Sequence, residues 1–253
     1  MFIIDSPLVE KSELQRNVFL FKIHCPEIAI VIKPGQFLNI RVTQAFSPFL
    51  RRPFSVSDVE GEYIFLLFSI FGEGTQILAD KNNGETIDIL GPLGKGFNLD
   101  DDYDIAVIVA GGLGAAPFPF VTRKLRQNKE IISCVGGRAI NDIITYGMEN
   151  VFTASEDGSV GFKGNVVELL KSKNEKLINK KIKIFGCGPT PMLKALAEYC
   201  INKDLNCEIS TECVMACGFG ICQGCPIESA QLKDRYKLVC KDGPVFNVKD
   251  ILL

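Results

Sequence analysis

The stretch IAVIVAGGLGAAPF, residues 105–118, has the pattern of a buried strand that ends in a glycine-rich turn and leads into a helix. Residues 105–110 are continuously apolar, which is typical of a strand in a parallel sheet that is covered on both faces. The sequence APFPFVTRKLRQN (116–128) has the pattern of the helix that follows. The stretch therefore predicts an α/β unit in the middle of the chain.

The same order returns further along, where KIKIFGCGP (181–189) leads into the helical pattern MLKALAEYCINK, and IISCVGG (131–137) supplies another strand. Glycines at the carboxyl ends of parallel strands let the backbone approach a dinucleotide closely. Each loop alone is also compatible with a plain strand-to-helix turn, but two on one sheet favour a dinucleotide site. The candidate residues are Gly111, Gly112, Gly114, Ala116 and Pro117 in the first loop and Gly186, Gly188 and Pro189 in the second.

Upstream of this unit the sequence pattern differs, with short segments that are rich in β-branched and aromatic residues. The predicted strands are 18–25, 37–42, 63–71 and 85–90. Turn sequences such as KPGQ and KNNGE separate them, and few helical patterns intervene. Regular short strands predict a small antiparallel β-barrel over residues 1–99, followed by the parallel-sheet domain over 100–209.

The remaining segment, 210–253, is rich in cysteine and glycine and has too little core to fold without a staple. Cys217, Cys222 and Cys225 follow a CxxxxCxxC pattern, and Cys240 comes after fourteen further residues. This spacing is close to that of plant-type two-iron, two-sulfur (2Fe-2S) clusters. Glycines between the cysteines suit a loop that wraps around a cluster with its N–H groups turned toward sulfur.

A structural zinc site is the rival interpretation, although zinc usually takes two CxxC-type pairs. Only Cys222 and Cys225 form such a pair, and Cys213 could add a CxxxC with Cys217. We leave Cys213 out of the predicted ligands. The other cysteines are predicted to be small buried side chains. They are Cys25, Cys134, Cys187, Cys200 and Cys207.

A cluster passes single electrons whereas a nicotinamide takes a hydride, so a chain that holds both needs a flavin to convert between them. The candidate site is RRPFSVSD (51–58), in which Arg52 could clamp a pyrophosphate, and Pro53, Phe54 and Ser55 could contact the flavin. The alternative is a strand entry with solvated arginines. A second element, FGEGTQILAD (71–80), could present Gly74 and Thr75 to phosphate at the start of a helix.

Composition excludes several other classes of function. The 253 residues are 47% hydrophobic with a net charge of -2, and basic residues are not clustered as nucleic-acid binding would require. The sequence shows neither a signal peptide nor an apolar run long enough to cross a membrane, so we expect a cytoplasmic protein. Ten cysteines in such a compartment indicate metal or redox chemistry. The single histidine, His24, is not expected to be catalytic, and no side chain is predicted as a catalytic acid or base.

The order of RPFS, GEGT, AGGLGAAP and FGCGPTPM resembles the ferredoxin reductase superfamily, and MACGFGICQGC with VCKDGPVF resembles the electron-transfer subunits of B-type dihydroorotate dehydrogenases. The resemblance covers essentially the whole chain. It implies an FAD-binding barrel, an NAD-binding domain and a 2Fe-2S module with the four cysteines as ligands. It also matches Leu67, Phe68 and Ser69 to the strand beside the flavin motif. Phe54 stands where many members of the superfamily have tyrosine.

The family's partner is an FMN-containing catalytic subunit that oxidises dihydroorotate in pyrimidine biosynthesis, assembled as a heterotetramer of two chains of each kind. The resemblance therefore implies that electrons pass from the FMN through the cluster and FAD to NAD+. Arg138 and Asp142 leave the choice between NAD and NADP open, since an arginine suits a 2′-phosphate and an acidic residue does not. The resemblance implies NAD. Two alternatives remain: a subunit of an NADH-dependent ferredoxin:NADP+ oxidoreductase or sulfide dehydrogenase, and a non-catalytic module stapled by zinc.

Overall fold

The computed structural model describes residues 1–173, 177, 180–231 and 235–253. The first part is a closed barrel of antiparallel strands in the order β1-β2-β5-β4-β3-β6, as predicted. Two short helices, α1 (Pro26–Ala29) and α2 (Glu73–Ala79), lie in its connections. The strands are β1 (Phe2–Gln15), β2 (Val18–His24), β3 (Phe37–Arg41), β4 (Arg52–Glu60), β5 (Tyr63–Ser69) and β6 (Thr86–Leu93).

Strands β1 and β4 were not among the predicted strands. β4 contains Pro53, which normally argues against a strand bonded on both sides. The pairing partly avoids the problem, because Pro53 faces Asn39 of β3, whereas the register with β5 begins only at Val56. The predicted strand 63–71 ends earlier, at Ser69, because the chain then turns toward α2.

The middle of the chain forms the predicted parallel sheet, in the order β10-β9-β8-β7-β11-β12. Helix α3 packs on one face with Phe118 and Val121, and helices α4 and α5 cover the other. None of the helices in the described part of the chain is long and apolar enough to span a membrane. The elements are β7 (Ile105–Gly111), α3 (Phe118–Leu125), β8 (Glu130–Gly137), β9 (Val151–Ser155), β10 (Phe162–Lys163), α4 (Val166–Ser172), β11 (Ile182–Cys187), α5 (Thr190–Asn202) and β12 (Asn206–Ser210).

The cysteine-rich segment forms a small sheet in the order β14-β13-β16 and also extends the large one. Its strand β15 pairs antiparallel with β12, with Val245 opposite Ser210. This pairing fixes the cysteine-rich segment to the α/β sheet. The elements are β13 (Pro226–Ser229), β14 (Tyr236–Leu238), α6 (Val239–Asp242), β15 (Val245–Asn247) and β16 (Ile251–Leu252).

The barrel and the sheet are joined by a charged contact. Arg123 of α3 forms a two-pronged ion pair with the buried Asp58 of β4, at 2.7 Å from Nε to Oδ1 and 2.6 Å from Nη2 to Oδ2. The same guanidinium also donates to Glu60. Paired N–H donors of this kind fix orientation as well as distance, so the contact sets how the two domains face each other.

Candidate functional site

A cavity of about 480 Å³ lies between the barrel and the α/β sheet, and we call it the interdomain cavity. Strands β4 and β5 form its barrel wall, and the turn before α3 forms part of the opposite wall. It brings together nine of the predicted cofactor residues. They are Pro53, Phe54, Ser55, Leu67, Phe68, Ser69, Thr75, Ala116 and Pro117.

The barrel wall of this cavity suits a flat aromatic ring. The rings of Phe54 and Phe68 lie 5.7 Å apart at 66°, which gives an apolar, edge-to-face surface. The half-buried Ser55 and Ser69 add hydroxyl groups to it. Large apolar walls with a few placed polar groups are typical of cofactor sites, and these residues fit a flavin ring.

Arg52 and the loop before α2 lie side by side next to this wall. Gly74 lies in the first turn of α2, and a methyl group added there would come within 3.1 Å of Arg52 Nε, so the glycine lets the guanidinium lie close to this turn. The Thr75 hydroxyl accepts the N–H groups of Phe71 and Gly72 at 2.8 and 3.1 Å. It therefore orders the loop, and the charge available to a pyrophosphate is that of Arg52.

A second cavity, of about 570 Å³, lies at the carboxyl ends of β7, β8 and β11, and we call it the nucleotide cavity. Three predicted residues line it: Gly111, Gly112 and Pro189. Gly112 has φ +55° and free space where a side chain would stand, so its backbone is open to a ligand. Open α/β sheets bind ligands at this edge.

The remaining predicted glycines serve chain packing in the structure. A methyl group on Gly114 would lie 2.3 Å from the carbonyl oxygen of Cys187, and one on Gly186 would lie 2.6 Å from Leu196 Cδ2. Gly188 lines a third cavity and would meet the Met192 side chain at 2.8 Å. These glycines let the two nucleotide loops and helix α5 approach one another.

The charges around the nucleotide cavity include one guanidinium and two carboxylates, from Arg138, Asp142 and Glu156. Asp142 accepts the Arg138 backbone N–H at 3.2 Å and lies 3.5 Å from its Nε. The Arg138 side chain is 85% exposed, so this ion pair is weak, but the two carboxylates of Asp142 and Glu156 outnumber the one guanidinium. This balance disfavours a 2′-phosphate and favours NAD over NADP.

Sequence reasoning missed the segment 210–213 and Met215, which line the interdomain cavity and lead directly into the cysteine loop. Cys187, predicted as a plain buried cysteine, is buried but also lines this cavity, and the other four predicted buried cysteines are confirmed as buried. Glu212 is open to the cavity, yet the walls around it desolvate its carboxylate and raise its pKa. In the sequence, the only signal that Glu212 belongs to this site is its position just before the cysteine loop.

The four predicted ligand cysteines form two pairs in the structure. The Sγ atoms of Cys225 and Cys240 are 3.1 Å apart, and the Cys240 N–H points to Cys225 Sγ at 3.4 Å. In the other pair, the Cys222 N–H points to Cys217 Sγ at 3.5 Å. Cys225 and Cys240 are buried, whereas Cys222 is exposed.

The pKa values of the thiols follow from these contacts. Burial alone would raise the pKa of Cys217, but backbone N–H groups of the loop and the Cys222 thiol lower it to about 6. Burial, followed by the hydrogen bond and charge of Cys225, raises the pKa of Cys240 to about 12. Metal binding at the buried pair must therefore displace a proton, whereas Cys217 is ready as a thiolate near neutral pH.

The paired arrangement distinguishes the two metal interpretations. Within the described residues, no three His, Cys, Asp or Glu side chains converge so that one metal ion could bind to all of them. A zinc ion needs all four thiolates on a single centre, whereas each iron of a 2Fe-2S cluster takes two. Gly218 and Gly220, with φ +80° and +92°, give the loop the left-handed turns it needs between Cys217 and Cys222. The cysteines fit a 2Fe-2S cluster.

Comparisons with known proteins lead in the same direction. A family model of the iron-sulfur cluster binding domain of dihydroorotate dehydrogenase B matches residues 212–252. The electron transfer subunit of dihydroorotate dehydrogenase B (NAD(+)) from Caldanaerobacter subterraneus subsp. tengcongensis is 38% identical over 87% of both chains. The protein of the same name from Bacillus velezensis is 33% identical over 96% of both.

Among solved structures, one of an NADH-dependent reduced ferredoxin-NADP oxidoreductase, studied for flavin-based electron bifurcation, aligns with a TM-score of 0.86. The alignment covers 97% of this chain and 89% of the other, at 25% identity. Nearly all of this chain, from the barrel through the parallel sheet to the C-terminal segment, therefore shares its fold with that structure.

Proposed function

The chain belongs to the family of electron transfer subunits of dihydroorotate dehydrogenase B, and from this membership we propose that it carries electrons from dihydroorotate oxidation in a partner subunit to NAD+. FAD is held in the interdomain cavity by the Arg52–Ser55 and Leu67–Ser69 segments. NAD lies in the nucleotide cavity, and the four cysteines hold a 2Fe-2S cluster. When bound, the cluster supplies single-electron transfer and the flavin supplies the change to hydride transfer.

The observation that carries this proposal is the continuity of the three sites, since Leu113 lines both the nucleotide cavity and the interdomain cavity. The interdomain cavity is lined by the barrel, by the turn after β7 and by residues 210–213, from which the chain runs directly to Cys217. No separate segment has to move for the cluster loop to stand beside the flavin wall. A chain built in this way serves to pass electrons between neighbouring groups.

In this proposal the partner subunit, and not this chain, oxidises dihydroorotate. The barrel, the sheet and the cysteine-rich segment take up the described residues, and a second flavin barrel is not among those residues. The partner is an FMN-containing catalytic subunit, in an assembly of two chains of each kind. We also propose a cytoplasmic location, because ten free thiols and an iron-sulfur cluster suit a reducing compartment.

The first test is the visible spectrum of the anaerobically purified chain, before and after NADH. We expect flavin and cluster bands that both bleach with NADH, because the hydride acceptor and the cluster are on this chain. Alone, the chain should reduce dyes with NADH but should not oxidise dihydroorotate. A colourless protein that contains zinc, or dihydroorotate oxidation by the isolated chain, would contradict the proposal.

The cluster loop offers a surface for the partner. Val214 and Ile221 are 85% and 76% exposed, and Ile221 precedes the exposed ligand Cys222. Exposed large apolar side chains grouped around one feature indicate an interaction surface. Because the exposed sulfur of Cys222 is the predicted ligand that an outside electron carrier can approach most closely, we propose that the catalytic subunit docks here.

Ile221→Asp should weaken this assembly by at least about tenfold in Kd, because a carboxylate would be desolvated at the centre of the interface. The measurement is titration of the variant with the catalytic subunit. NADH-dependent dye reduction by the isolated chain should not change. The control is Ile30→Asp, since Ile30 is 84% exposed on the barrel after α1. Equal weakening by both variants would rule out docking at the cluster loop.

The likeness to an NADH-dependent reduced ferredoxin-NADP oxidoreductase keeps a second candidate function in view. The identity of 38% to one of its electron transfer subunits, against 25% to that structure, favours the dihydroorotate system. Co-purification from the native cell decides between them. An FMN subunit that oxidises dihydroorotate supports the first, and a ferredoxin-dependent partner supports the second.

A further inference from the structure

Strand β3 has two faces with different tasks. Leu38 and Ile40 point into the barrel core, whereas Phe37 and Asn39 point out of the barrel. Phe37 lines the interdomain cavity, and Asn39 contacts the cluster loop through its side chain. Residues two apart on one face of a strand are separated by about 7 Å. One short strand therefore touches both the flavin cavity and the cluster loop.

Asn39 lies in direct contact with two neighbouring residues of the cluster loop. Its Nδ2 donates to the carbonyl oxygen of the ligand Cys217 at 3.4 Å. The next residue, Gly218, is buried with φ +80°, and a methyl group there would lie 2.6 Å from Asn39 Nδ2. The same methyl group would lie 3.3 Å from Cδ1 of Leu93 in β6. Glycine is needed at this point so that the loop can lie directly on the barrel.

The barrel holds Asn39 rigidly in this position. A bulge in the pairing of β3 with β6 falls between Phe37 and Asn39, and bulges re-aim side chains beside functional sites. The Asn39 carbonyl accepts from Arg51 Nη1 at 3.2 Å, and the same guanidinium is paired with Asp88 of β6 at 2.7 Å. On the other side, Asn39 faces Pro53 of the flavin motif.

The burial of Asn39 also lowers the stability of the fold. Asn39 is 0% exposed, and its Oδ1 has no hydrogen-bond partner among the described residues. A buried amide with one unpaired end costs stability, so its presence needs a reason beyond packing. The donor end provides one, because it is directed at the peptide of a cluster ligand.

We propose that Asn39 is the positioning residue that holds the cluster loop against the flavin barrel, so that β3 sets the separation between the flavin and the cluster. This inference rests on the proposed function. Its consequence is that Asn39 governs the electron step between the two groups and leaves the hydride step alone. The nucleotide cavity is built by other elements, namely β7, β8, α4 and α5.

The test uses the complete chain with its cofactors, mixed with NADH in a stopped-flow spectrometer. In Asn39→Leu, which keeps the side-chain size and removes the donor, the flavin band should bleach at the wild-type rate. Cluster reduction should slow by at least about tenfold, because displacements near 1 Å already have large effects on rates. At equal iron content, the electron paramagnetic resonance spectrum of the reduced cluster should also change shape.

Asn39→Asp is the second variant, since it preserves the shape and also removes the donor if Asn39→Leu does not fold. Ser57→Ala is the matched control: Ser57 is 0% exposed on β4, and its hydroxyl is also without a partner among the described residues. Unchanged cluster reduction in the Asn39 variants would overturn the inference. So would a joint fall of both rates, or the same change in Ser57→Ala. A wild-type chain without a cluster signal would instead overturn the proposed function, before any variant is compared.

Discussion

Cys225→Ser should abolish the iron-sulfur cluster while the flavin stays reducible by NADH. Cys225 is 3% exposed, and its Sγ lies 3.1 Å from that of Cys240, so its loss leaves one iron with a single thiolate. Serine supplies a hard oxygen where the cluster needs soft thiolate sulfur. Loss of a supporting hydrogen bond alone costs up to about 100-fold in metal affinity, so loss of a ligand should cost at least that much.

The measurements are iron content, the cluster absorption and the NADH-dependent reduction of a dye at the flavin. Cys213→Ser is the matched control, because Cys213 lies in the same loop and contacts Cys225. Burial, and then the charge of Cys225, raises the pKa of Cys213 to about 12, so this thiol is held protonated. Loss of the cluster in Cys213→Ser and its retention in Cys225→Ser would show that the ligand set is wrong.

Local patterns made much of the fold predictable. The run 105–110 and the glycines after it specify β7 and its turn within one short stretch, because a doubly covered strand must be apolar throughout. The cysteine spacing works in the same way for Cys217, Cys222 and Cys225, because three ligands within nine residues leave few possible geometries. In both cases the determining residues lie close together in the sequence, whereas Cys240 comes 15 residues after Cys225.

The parts that could not be predicted depend on contacts between distant segments. β15 joins the edge of β12 across more than thirty residues of chain, and its three residues carry no signal of their own. In the sequence, Asn39 is an ordinary polar residue of an alternating strand. Its role depends on its contact with Cys217, which is distant in the sequence. β4 was not predicted because it contains Pro53. A proline is compatible with this strand only because of the register of the neighbouring strands, which the sequence does not show.

Lys183→Met should destabilise the fold by about 3–5 kcal/mol, the usual cost of breaking a buried ion pair. The Lys183 side chain is 0% exposed at the start of β11. It donates to Asp101 and to the Asn98 carbonyl at 2.7 Å, and lies 3.3 Å from Glu208. Methionine fills the space but leaves the two carboxylates facing each other without a cation.

The carboxylates respond to Lys183 in different ways. The hydrogen bond from Lys183 is the main cause that lowers the pKa of Asp101. The fold therefore favours ionised Asp101, and this stabilisation is lost as the pH falls through its folded-state pKa. Desolvation raises the pKa of Glu208 against the attraction of Lys183 and the hydrogen bond from the Asn98 N–H, so ionised Glu208 is a cost that the lysine offsets in large part.

It follows that Lys183→Met/Glu208→Gln should recover much of the lost stability, because it removes one of the two unpaired charges. Urea unfolding followed by circular dichroism, at a pH above both folded-state pKa values, measures both variants. Lys181→Met is the control, since Lys181 and Asp102 form an ion pair two residues away whose side chains are 64% and 84% exposed, and exposed pairs contribute little. An equal loss in Lys181→Met, or no recovery in the double variant, would contradict this account.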